Sequence, residues 1–314
     1  MPLWERQIEE WLAEKPERTA AADFDAFWEE TQSLALSQTM NPEVISVDYP
    51  SKKISVYRVS FEAFDRGRIQ AWLLVPTEST SSKLPALIRW HDYLGFRGRI
   101  CTHLVWALQG FVVLVPDIRG HGDSSDLTHY SRGNNKGYFA QGILDPHEYY
   151  LRGCIADGLR MILFLNGRSE VDPNRIGIIG DGLGGLVSLW TAALHPQVNT
   201  IAPVSPYPCD WERHVISASS VAADEVKIYL TRYPEHEAMV WNTLSYFDPV
   251  NIARRVGCTS FFPLGLQGSA APPQDSVGIY NLIEGEKELK VLPYDGAGAG
   301  IEELISCMQR RLRP

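Results

Sequence analysis

Apolar positions in the first 37 residues recur at helical spacing. Trp4, Ile8, Trp11 and Leu12 fall on one face, and TAAADFDAFWEETQSLA predicts a second helix opening near Thr19. The period then changes. ISVYRVSFEAF (54–64) alternates, as an antiparallel strand with one solvated face does, and RIQAWLLVP (68–76) follows it. Six short, near-continuous apolar runs come next, the signature of buried parallel strands: PALIRWH (85–91), GFVVLVPDIR (110–119), RIGIIG (175–180), NTIAPVS (199–205), CTSFFPLGL (258–266) and ELKVLPY (288–294). Helical patterns over 102–109, 151–166, 184–195 and 275–284 separate most of them. The pattern predicts an α/β fold in a single domain over 1–314. Its sheet has eight strands, antiparallel at the start and parallel afterwards, with helices on its flanks and an N-terminal helical extension over 1–37. Residues 120–148 form a long polar stretch, and 209–255 read as a helical insertion before the seventh strand. Segments this long inside a compact domain are functional or interfacial.

Composition narrows the function classes. Of 314 residues, 45% are hydrophobic and 21% charged, as in a globular protein with a sizeable core. The net charge of -9 and a pI near 5.4 argue against a nucleic-acid partner or an anionic membrane. MPLWERQIEEWLAEK has no apolar h-region, so no signal peptide is expected, and no apolar run reaches the roughly 18 residues a span needs. The five cysteines lie far apart, odd in number and without C-x-x-C spacing, which reads as free thiols in a reducing compartment. A cytoplasmic protein is the expectation. The eight histidines include no H-x-x-x-H or H-E-x-x-H pattern, so no metal is expected.

The candidate chemistry centres on RIGIIGDGLGGLVSLW, from Arg175 to Trp190. Gly180, Gly182 and Gly185 fit the G-x-G-x-x-G of dinucleotide binding. Gly180 to Gly184 also fit the G-x-S-x-G nucleophile elbow, with glycine in place of serine. A dinucleotide fingerprint follows the first strand of its βαβ unit and needs an acid at the end of the next strand. Here the glycines follow the fifth strand, and the first acid beyond NTIAPVS is Asp210, behind a Pro-Tyr-Pro turn. The context therefore fits an α/β-hydrolase elbow, and no cofactor is expected. WHDYLG (90–95) stands where hydrolases place an oxyanion-hole loop, and DIRGHGDSS (117–125) resembles the D-x-R-G-x-G-x-S turn of that fold.

Four longer segments carry a specific resemblance: KPERTAAADFDAFWEE (15–30), GILDPHEYYLRGCIADGLRMI (142–162), LSYFDPVNIARRV (244–256) and ELKVLPYDG (288–296). With them the chain resembles, nearly end to end, the acetyl xylan esterase and cephalosporin C deacetylase family (carbohydrate esterase family seven), serine esterases of α/β-hydrolase fold. The resemblance implies a homo-oligomer, a hexamer built as a trimer of dimers with the sites facing an inner chamber. GYFAQGILD, near the end of 120–148, resembles the family's protruding interface element.

The family's catalytic residues are not at the matching positions. Its elbow reads R-I-G-V-x-G-x-S-Q-G-G; this chain has Gly182 for the serine and Leu183 for the glutamine that helps form the oxyanion hole. The acid of G-L-x-D-x-x-x-P-P falls on Gly268, and the histidine of G-H-E on Ala297. The R-G-Q signature appears as Arg119-Gly120-His121. The backbone N–H groups of Tyr93 and Leu183 remain as oxyanion-hole equivalents. Hydrolysis needs a hydroxyl nucleophile, a base for its proton and an acid to orient that base, and these positions supply none.

Pocket candidates are His91, Asp92, Asp181, Tyr207 and Pro208. SPYPCDW (205–211) reads first as a rigid turn and resembles a pocket-lining element of the family, and a rigid turn can also wall a pocket. Asp181 with Asp295 forms an acid/base alternative, although the residue before an elbow apex points away from it. His121 reads as a turn histidine, Ser269 has no base in sight, Cys209 and His214 read as packing and surface, and Trp90 and Trp106 as core. The expectation is a catalytically inactive homologue that keeps the fold, an assembly role and a pocket for an acetylated sugar or small ester. The alternative is an active ester hydrolase with relocated catalytic residues.

Overall fold

The computed structural model describes residues 2–78, 82–132, 137–268, 271–296 and 300–313. Two helices come first, α1 (Leu3–Ala13) and α2 (Phe24–Ser37). Five strands and a short helix follow: β1 (Glu43–Val47), β2 (Ile54–Glu62), β3 (Arg68–Pro76), β4 (Leu84–Trp90), α3 (Leu104–Leu108) and β5 (Val112–Pro116). After a long connection come α4 (Tyr150–Asn166), β6 (Val171–Asp181), α5 (Leu183–Leu194) and β7 (Val198–Val204). The insertion is helical, with α6 (Trp211–Ser217), α7 (Val221–Arg232) and α8 (Glu237–Ser245). β8 (Thr259–Gly265), α9 (Pro273–Leu282), β9 (Lys287–Leu292) and α10 (Ile301–Leu312) complete the chain.

The described residues form one nine-stranded sheet in the order β1-β2-β3-β5-β4-β6-β7-β8-β9. β1, β2, β3 and β5 pair antiparallel, and every later pairing is parallel. This is an α/β-hydrolase-type fold. The extra strand corrects the expectation of eight. β1 is five residues long at the sheet edge with no buried position, so its hydrophobic signal is too weak to read. α2 starts at Phe24 rather than near Thr19, because the Thr19 N–H is bonded to Asn251 Oδ1 at 2.8 Å instead of entering a helix.

Burial explains the apolar runs. All five residues of β5 are buried, and six of seven in β4, since helices cover both faces. α2, α4 and α5 pack on one face, with the Trp28 and Trp190 rings 4.3 Å apart between centroids and tilted by 33°. α3 and α10 cover the other, through Trp106, Leu304, Met308 and Leu312.

Candidate active site

Strand register builds the site. Trp90 of β4 lies beside Gly180 of β6, and Asp181 lies beside Val204 of β7. Continuing each strand by one to three residues brings Asp92, Gly182 and Tyr207 to the carboxyl end of three neighbouring parallel strands, where open α/β sheets bind ligands. Gly182 makes the strand-to-helix turn at φ 53°, ψ -113°, a conformation L side chains rarely adopt. The neighbouring glycines serve close approach: a Cβ at Gly180 would meet the Gly184 carbonyl at 2.1 Å, and one at Gly184 the Trp90 side chain at 2.5 Å. Backbone contact, rather than a pyrophosphate, accounts for the glycine pattern.

The two oxyanion-hole equivalents point at one atom. Asp92 Oδ1 accepts the N–H of Tyr93 at 2.6 Å and the N–H of Leu183 at 2.9 Å. The Tyr207 hydroxyl faces the same carboxylate and pulls its pKa down. Leu183 opens α5, so the positive end of a twelve-residue helix also faces it. Burial raises the Asp92 pKa above the ordinary value, against the pull of the two N–H groups and the hydroxyl. A Cβ at Gly182 would lie 1.8 Å from Asp92 Oδ1. The carboxylate thus stands where a side chain on the elbow would stand.

The other candidates are engaged around this centre. His91 Nδ1 bonds the Asp92 carbonyl at 2.7 Å, and its Nε2 accepts the Ile118 N–H at 2.9 Å, which fixes a neutral ring. Burial pushes its pKa down to about 4. Asp181 pairs with Arg89 at 3.4 Å, and burial raises its pKa. The Tyr93 ring is held by its hydroxyl, which donates to Glu225 at 2.7 Å and accepts the Tyr138 N–H at 2.9 Å. Tyr207 and Pro208 are buried and joined by a cis peptide. His121 contacts the Arg119 carbonyl at 3.1 Å, as a turn histidine does, and Trp90 and Trp106 are core.

The loops after β8 and β9 meet through the Gln267 N–H and the Asp295 carbonyl at 3.0 Å. Gly268 lies on the first of these loops. Ala297 and Ser269 are outside the described residues. Within 120–148, Gly120, Asp126, Thr128, Tyr130, Gly137, Tyr138 and Gln141 line a cavity of about 420 Å³, which none of the elbow residues borders.

His214 is a correction. Its ring is fully buried rather than at the surface. Nδ1 lies 2.8 Å from Asp275 Oδ2, and Nε2 lies 2.7 Å from Ser220 Oγ, a Ser–His–Asp arrangement of three buried side chains. Ser220 also caps α7 by accepting the Ala223 N–H at 3.0 Å. The His214 ring stacks on Tyr207 with centroids 6.0 Å apart. No motif signals the set, because Ser220 and Asp275 come from different elements 55 residues apart. Among the described residues, no cluster of three or more metal-ligating side chains occurs, and no helix is long and apolar enough to cross a membrane.

The family model for acetyl xylan esterase (AXE1) matches residues 1–304. An acetyl xylan esterase from Paenibacillus sp. R4 superposes with a TM-score of 0.90 at 34% identity, over 99% of this chain and 98% of that one. Acetyl xylan esterase 1 from Thermoanaerobacterium sp. gives 0.89 at 28%, over 100% and 99%. The acetyl esterase Axe7A of Xylanibacter ruminicola is 25% identical over 289 residues, 89% of this chain but only 64% of the relative's length.

Proposed function

The chain belongs to the acetyl xylan esterase family, and from that premise we propose that it is a catalytically inactive homologue, one that keeps the hydrolase scaffold without its hydrolytic chemistry. One observation carries the reading: the Asp92 carboxylate takes both oxyanion-hole N–H groups and the space of an elbow side chain. Preorganised donors stabilise the charge that develops on an ester oxygen, and removing a single donor costs such enzymes about 100- to 1,000-fold. Here both are committed to an anion already in place. The family resemblance assigns Gly182, Gly268 and Ala297 to the triad positions, so nucleophile, acid and base are all missing from this reading. Its remaining elements are a homo-oligomeric assembly and a pocket that admits an acetylated sugar or a small ester.

A second reading, an ester hydrolase with relocated residues, has the Ser220–His214–Asp275 set in its favour. Against it, Ser220 is 2% exposed and spends its oxygen on a helix cap. A fluorophosphonate probe separates the two. Inactivity predicts no labelled residue by peptide mass mapping. Labelling confined to Ser220 and abolished in His214→Ala would establish the second reading.

A further inference from the structure

Two backbone N–H groups bond Asp92 and a tyrosine hydroxyl faces it, and they come from segments far apart in sequence: Tyr93 after β4, Leu183 at the start of α5, and Tyr207 after β7. Leu183 is fully buried, Tyr93 8% exposed and Tyr207 6% exposed. Tyr207 is itself held by stacking on His214, whose ring is bonded to Asp275 and Ser220. The cradle is therefore largely buried and shaped for one planar anion. Two N–H groups meet at one oxygen, as they do on a bound carboxylate. Gly182 leaves the required space by having no side chain.

We propose that Tyr93, Leu183 and Tyr207 form a binding site for a small carboxylate, and that its resident ligand is the tethered Asp92 side chain. An external carboxylate of acetate size then competes with a ligand at the high effective concentration of an intramolecular group, and loses. Shortening residue 92 frees the cradle without removing any of its donors. The inference rests on the reading of this centre as non-hydrolytic, but its test measures binding rather than turnover, so each fails separately.

The probe is ¹³C-labelled acetate, its binding followed by NMR line broadening and calorimetry at neutral pH. The folded wild-type protein shows no saturable acetate site. Asp92→Ala gains one and binds acetate at least about tenfold more tightly than wild type, the minimum expected when charge-assisted bonds pass to a free anion. Adding Tyr207→Phe to that variant weakens binding about tenfold, because one donor is lost. A folded Asp92→Ala protein that binds acetate no better than wild type overturns the proposal and leaves Asp92 as a cap of α5. Should Asp92→Ala fail to fold, Asp92→Gly takes its place in the same acetate titration, with the same supporting and overturning results.

Discussion

Gly182 and Asp92 are one feature rather than two. At φ 53° a side chain at residue 182 is strained, at a cost of about 1–3 kcal/mol. Its Cβ would also collide with Asp92 Oδ1. Gly182→Ser alone is therefore expected to destabilise the fold, and Asp92→Gly in the same chain to relieve part of that loss. Urea unfolding of both single variants and the double variant gives the coupling, expected at about 1–3 kcal/mol. Strict additivity would contradict the contact. Any attempt to rebuild a triad through Gly182→Ser, Gly268→Asp and Ala297→His must accordingly remove Asp92 too. His91 sets a second expectation. Its folded pKa of about 4 lies below the ordinary histidine value of about 6.5, because burial disfavours the charged ring. The unfolded chain binds the proton first as pH falls. Stability is thus fully present above pH 6.5 and drains away between about 6.5 and 4, by up to about 3 kcal/mol from this residue. His91→Gln, followed by urea midpoints across that window, is expected to flatten the slope. An unchanged slope would mean that other groups carry it.

At the level of elements, Arg119 ties the turn after β5 to α4. Its guanidinium is 1% exposed and bonds Asp157 at 2.8 Å and Asp65 at 3.0 Å, beneath Gly153, where a Cβ would lie 2.2 Å from it. Arg119→Ala strands the buried Asp157 and the partly buried Asp65 and is expected to cost about 3–5 kcal/mol in urea unfolding. A loss below about 1 kcal/mol would show that the turn stands without it. The elements themselves were largely legible in the sequence, because buried parallel strands announce themselves as short apolar runs. β1 was not, since an edge strand with no buried residue carries no such signal. The site was half legible. Glycine spacing located the elbow, and WHDYLG located the loop beside it. That Asp92 fills the hole depends on the β4–β6 register, which joins residues 91 apart in sequence, and no spacing rule reaches that far. His214 escaped for the same reason, its partners lying on α9 and at the start of α7.

On the scale of the whole molecule, the strand-end face presents exposed apolar side chains on its loops. Leu94 and Phe96 stand after β4 and Tyr294 after β9, at 66%, 58% and 85% exposure. We propose that neighbouring subunits enclose this face, in the hexameric assembly implied by the family resemblance. Light scattering at micromolar concentration is expected to give a particle several times the 35.2 kDa chain, and a monomer would contradict the proposal. The central claim is that a scaffold built for ester hydrolysis no longer performs it. Its most direct test is the initial rate of acetate release by the purified wild-type protein, from p-nitrophenyl acetate, cephalosporanic acid and acetylated xylo-oligosaccharide, beside a serum-albumin control. The predicted result is a rate equal to the control with every substrate. Saturable turnover that rises with protein concentration and survives repurification would contradict it.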